Sequence, residues 1–124
     1  MSDASQEIAE ARAVFERGRQ LEEEDPSEAL VHFARSAALA PNWSAPVAAL
    51  GYLFRSQGRA QEALVAYGRA AELTPNDAAI FIKCGNLLSE ARDFDGAVEN
   101  YERATQLQPD WHLPYLNFGN AHAA

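Results

Sequence analysis

At 124 residues, 48% of them hydrophobic and 23% charged, the chain is sized and composed as a single folded soluble domain. A formal net charge of −8 argues against nucleic acid and anionic membrane as partners. The single cysteine excludes an internal disulfide, no Cys/His cluster offers a metal framework, and no apolar run approaches the length of a membrane span.

The segment from Met1 to Glu28 carries nine acids and three arginines, so most of the negative charge lies at the front. Val14, Gly18 and Leu21 lie on one helical stripe, and Glu22, Glu23, Glu24 and Asp25 read as a solvated helix end and turn. A second helix carries Ala29, Phe33 and Ser36 before Pro41 ends it. A third, over residues 44–57, places Val47, Leu50, Gly51 and Phe54 at i, i+3, i+4 and i+7. After the turn Gln57-Gly58-Arg59, a fourth carries Ala63, Tyr67 and Ala70 up to Pro75. The pattern then repeats with Phe81, Cys84, Gly85 and Leu88, the turn Arg92-Asp93, and Ala97, Tyr101 and Ala104 before Pro109. It starts once more over 112–124 with Tyr115, Phe118, Gly119 and His122. At the breaks a proline stops one helix and Asn or Asp is expected to cap the next. No segment reads as a strand, so the predicted class is all-α.

One period underlies these elements. Gly51, Gly85 and Gly119 recur at one fixed interval, Pro41, Pro75 and Pro109 share it, and Ala63/Ala97 and Tyr67/Tyr101 keep the same beat. A fixed period of this length marks a stacked array in which each unit buries its apolar face against its neighbours. The units are expected at about 11–43, 44–77 and 78–111, with a half unit or capping helix at 112–124. The first is degenerate, because Gly18 lies one position closer to Gly51 than the beat requires.

Val47, Leu50-Gly51, Phe54, Ala63, Tyr67, Ala70 and Pro75, with their counterparts one unit on, resemble the tetratricopeptide repeat. Ala60, where that family prefers an aromatic matching Phe94, and Ser36 in place of Ala are departures. The resemblance implies a right-handed superhelical array of antiparallel helix pairs, about three units plus a final single helix. The recurrent Gly, Ala, Tyr and Pro positions would then be structural. It also implies a concave groove lined by first helices, holding a peptide or protein segment. Candidate groove residues are Phe15, Arg19, Ala48, Ala49, Tyr52, Arg55, Ala79, Ile82, Lys83, Asn86, Ser89, Leu113, Leu116, Asn117 and Asn120. Of these, Tyr52, Arg55, Ile82, Lys83, Asn86, Leu116, Asn117 and Asn120 are the leading set. Arg55 and Lys83 would favour an acidic partner segment. The clamp by which some members hold acidic chaperone tails is expected to be absent, since its positions correspond to Phe15, Arg19, Ala49, Ala79 and Lys83.

No enzyme chemistry is expected. His32, His112 and His122 fall on different units without a nucleophile or carboxylate at catalytic spacing, and Cys84 occupies a Leu slot of the repeat. The functional expectation is a non-catalytic, cofactor-free interaction scaffold. The alternative is the N-terminal accessory or assembly region of a larger enzyme, such as a bacterial glycosyltransferase or sulfotransferase, guiding substrate or mediating oligomerisation. A cytoplasmic location is the default, and the Arg-over-Lys bias is compatible with a bacterial source. The apolar circumference of 112–124 (Leu113, Leu116, Phe118) suggests a chain that continues, or self-association through that helix.

Overall fold

A computed structural model describes residues 3–109. Among them are six α-helices and no strand: α1 Asp3–Leu21, α2 Pro26–Leu39, α3 Ser44–Ser56, α4 Ala60–Leu73, α5 Ala78–Glu90 and α6 Phe94–Leu107. Each packs most extensively on its chain neighbour, α1 on α2, α3 on α4 and α5 on α6, giving the helix-pair architecture of a repeat array. The chain divides into two compact units, one ending at Leu73 and the next starting at Thr74. Helix α1 begins at Asp3, well before the first repeat boundary expected near residue 11.

Local chemistry sets the boundaries. The Asp25 side chain accepts from the Glu28 N–H at 3.2 Å with Pro26 at the first helical position. Asp77 accepts from the Ala79 N–H and Asp93 from the Gly96 N–H, each at 3.1 Å. Helix α3 departs from the expected pattern. Its N-cap is Trp43, which makes no side-chain cap bond, and not Asn42. The indole turns inward and meets the Phe15 ring edge-on at 5.0 Å, so core packing takes precedence over capping at that end.

In the first unit Phe15, Ala29, Phe33 and Leu53 form a buried cluster flanked by Leu21, Leu30, Trp43 and Leu50. Fully buried Ser36 is accommodated because its hydroxyl donates to the Ala11 carbonyl at 2.8 Å, tying α2 to α1. In the second unit Ala78, Ile82, Ala97, Tyr101 and Ala104 are buried, with Phe81, Leu88, Phe94, Val98 and Leu107 packed around them. First-helix glycines face second-helix aromatics throughout. A Cβ at Gly18 would stand 2.7 Å from the Phe33 ring, one at Gly51 2.8 Å from Tyr67, and one at Gly85 closer still to Tyr101. Where unit two has Phe94, unit one has Ala60. There the Arg59 guanidinium covers Phe54, 4.6 Å from its centroid, and forms a two-pronged pair with Glu62.

The turns inside the second and third helix pairs show the cost of a residue choice. Gly58 adopts φ +75°, and Arg92, its equivalent one repeat on, adopts the same left-handed conformation at φ +66°. Glycine takes that conformation freely, whereas a Cβ costs about 1 kcal/mol there. Arg92 also lies over the Phe94 ring at 5.6 Å, so two effects must be separated. Both Arg92→Gly and Arg92→Ala lose the ring contact, and only the first relieves the backbone. Arg92→Gly is therefore expected to be more stable than Arg92→Ala by about 1 kcal/mol in urea titration.

Candidate interaction surface

The expected groove residues do not share one environment. Tyr52 projects from α3 with 55% of its surface exposed, and its helix turn is pinned by Ser56 Oγ donating to the Tyr52 carbonyl at 2.9 Å. Ile82 is corrected. It is 6% exposed within the cluster of α5 and α6, so its side chain serves packing and not a groove wall. Phe15, one of the wider set, is likewise buried, 5.4 Å from the Phe33 ring, and Arg19 lies over it at 6.0 Å. Asn86 is half-buried, and its Oδ1 accepts the Tyr101 phenol at 2.6 Å, so it has a structural duty before any ligand arrives. Arg55 is exposed and Lys83 half-buried, and each already interacts with the protein's own groups. Leu116, Asn117, Asn120, Gly119 and the self-association assigned to helix 112–124 lie outside the described residues.

What the sequence reading missed is the company Tyr52 keeps. A hollow of about 280 Å³ in the first unit is bounded by Glu22, Glu23 and Pro26 from the α1–α2 turn and by Tyr52, Leu53, Ser56 and Gln57 from α3. The partners are well apart in sequence, and only the packing of α2 on α3 brings them together. The run Glu22–Glu24 was legible as a turn but carried no signal of its neighbour. Two further hollows belong to the same unit. One of about 430 Å³ is nearly all apolar, between Val47, Leu50 and Phe54 of α3 and Val65 of α4, the last 74% exposed. Another, of about 380 Å³, lies between Ile8 of α1 and Leu39 and Trp43.

The groups that could do chemistry are held otherwise. Burial pushes the Cys84 thiol up to about 11, because the interior disfavours the thiolate. Thiol-specific reagent at pH 8 is therefore expected to label native Cys84 at least about a hundredfold more slowly than the urea-unfolded chain. Equal rates would show that the thiol is accessible. His32 places Nδ1 2.8 Å from the Glu28 carbonyl and 3.8 Å from its carboxylate, a local helix contact. His112 and His122 lie outside the described residues. Among the described residues no group of three or more His, Cys, Asp or Glu side chains could hold a metal, and no helix is long and apolar enough to cross a membrane.

Comparison with known proteins agrees with this architecture. Two family models match, the TPR repeat over residues 51–91 and the tetratricopeptide repeat over residues 78–110. No curated protein matches the sequence. Among solved structures, MamA protein superposes with a TM-score of 0.83 at 21% identity, covering 91% of this chain and 62% of that one. This chain thus spans less than two thirds of MamA's length. The first TPR of Spaghetti (RPAP3), bound to the HSP90 peptide SRMEEVD, gives a TM-score of 0.84 at 14% identity over 93% of this chain and 92% of that one. A mutant O-GlcNAc transferase from Thermobaculum terrenum gives a TM-score of 0.76 at 21% identity, covering 98% of this chain but 23% of the enzyme. With its regular sequence beat, its helix pairs and both repeat matches in agreement, the chain belongs to the tetratricopeptide repeat family.

Proposed function

We propose that the chain is a non-catalytic scaffold that holds a segment of a partner protein against its first helices, with Tyr52 as the principal contact. The observation that carries this reading is the exposure of Tyr52: a large, stiff amphipathic ring left 55% open beside a hollow. Such rings give large contact area for little entropy and dominate many interfaces. A structural neighbour that holds a peptide supports the same class of activity. Its acidic ligand is a poor guide here, because of the five clamp positions Phe15 is buried, Ala49 and Ala79 offer no charge, and only Arg19 and Lys83 are basic.

The test is recovery of bound partner by the intact chain and by Tyr52→Ala, with thermal melts confirming that the variant folds. Truncating a central aromatic contact costs about 2 kcal/mol, so affinity should fall about thirtyfold. Undiminished affinity in a folded Tyr52→Ala would move the contact to another face. A second reading, the N-terminal accessory region of a larger enzyme, is favoured by the transferase match, in which nearly all of this chain corresponds to 23% of an enzyme. Reading the gene beyond Ala124 decides it, since a stop codon there would remove that alternative.

A further inference from the structure

We propose that the hollow between the α1–α2 turn and α3 receives a basic side chain, arginine above all, from the partner segment. The inference rests on the scaffold reading above and assigns the partner's chemistry at that surface. The walls are of two kinds. Pro26, Tyr52 and Leu53 supply apolar lining that suits an aliphatic stem, while the acidic residues Glu22 and Glu23 line the same hollow. Charge complementarity selects the head group. Nine of the eighteen acids fall between Met1 and Glu28, against three of the ten basic residues.

The carboxylates are available. Among the described residues Glu22, Glu23 and Glu24 form no ion pair, and Asp25 is the acid that caps α2. Nearby cations are occupied: Arg19 lies over the Phe15 ring, and Arg55 interacts with the protein's own groups. Glu22, Glu23, Glu24 and Asp25 outnumber Arg19 and Arg55 around this hollow, so the formal charge there is acidic. That reverses the preference for an acidic partner that Arg55 and Lys83 suggest in the sequence. Arginine suits the hollow better than lysine, because its planar guanidinium binds carboxylate through two bonds and stacks on an aromatic face.

The experiment uses fluorescence anisotropy on the intact chain at about 0.1 M salt, where charges beyond about 10 Å are screened. The probes are labelled hexa-arginine, hexalysine and hexaglutamate. Hexa-arginine should bind most tightly, about tenfold better than hexaglutamate or more. The near-isosteric double variant Glu22→Gln/Glu23→Gln should weaken hexa-arginine about tenfold. The control Glu7→Gln/Glu16→Gln, which removes the same charge on α1 away from the hollow, should change it less than about twofold. Equal losses in both doubles would reduce the effect to diffuse charge, and no loss in the first would remove the site. Either result overturns the inference. If Tyr52→Ala still weakens partner recovery in that case, the scaffold reading stands without it. If Tyr52→Ala weakens neither partner nor hexa-arginine, both fail.

Discussion

Gly85→Ala is expected to destabilise the second unit by about 2 kcal/mol, although alanine is the better helix former. Two effects oppose each other. Alanine in a helix interior gains about 1 kcal/mol over glycine. Against that, the new Cβ would overlap the Tyr101 ring, and overpacking of this kind costs about 3 kcal/mol where the neighbour cannot yield. Tyr101 cannot yield easily: it is 2% exposed, and its phenol is tied to Asn86 at 2.6 Å. Gly51→Ala, with its Cβ 2.8 Å from Tyr67, should lose somewhat less. Gly68→Ala is the control, because a Cβ there meets nothing within 4 Å and the helix gain of about 1 kcal/mol is unopposed. Melts should therefore place Gly68→Ala above the parent and Gly85→Ala lowest. A Gly85→Ala protein as stable as Gly68→Ala would mean that the glycine is not a spacer.

The same packing explains what the sequence could and could not disclose. Helix pairs, turns and breaks were legible because period, proline and capping signals coincide; α2, α4 and α6 end at Leu39, Leu73 and Leu107, just short of Pro41, Pro75 and Pro109. Which side of a first helix faces outward was less legible. Phe15, Ala48 and Ile82 occupy one repeat position, and Arg19, Tyr52 and Asn86 occupy another, one helical turn on. The structure buries Phe15 and Ile82 and leaves Tyr52 exposed, so two adjacent rows assigned to one groove differ in environment. An amphipathic stripe is broad, and residues at its edge go inward or outward according to the neighbouring helix. Capping signals were similarly incomplete. Asn42 is as good a cap in isolation as Asp77, but the adjacent Trp43 has a core to enter. The pairing of Glu22 and Glu23 with Tyr52 depends on tertiary packing alone and has no periodic signature.

Tyr101→Ala is expected to cost about 3–5 kcal/mol, enough to unfold a repeat pair whose whole stability is of that order. The ring packs within the cluster of Ala78, Ile82, Ala97 and Ala104, opposite Gly85, so its removal leaves a large void in the core of the second unit. Tyr101→Phe keeps the ring and removes only the donor to Asn86 Oδ1, which should cost about 1 kcal/mol. A double-mutant cycle with Asn86→Ala isolates that bond: a coupling of about 1 kcal/mol is expected, and strict additivity would show that the bond contributes nothing net. The cycle also separates two roles that Asn86 could hold. Loss of partner binding in Asn86→Ala alone is ambiguous, because the substitution leaves a Tyr101 hydroxyl without its acceptor and loosens α5 against α6. Tyr101→Phe loosens the same contact while leaving the Asn86 amide in place and free of the phenol. If binding falls in Asn86→Ala but not in Tyr101→Phe at matched stability, the amide touches the partner. If both fall together, Asn86 acts by holding α5 against α6, and its amide need not touch the partner.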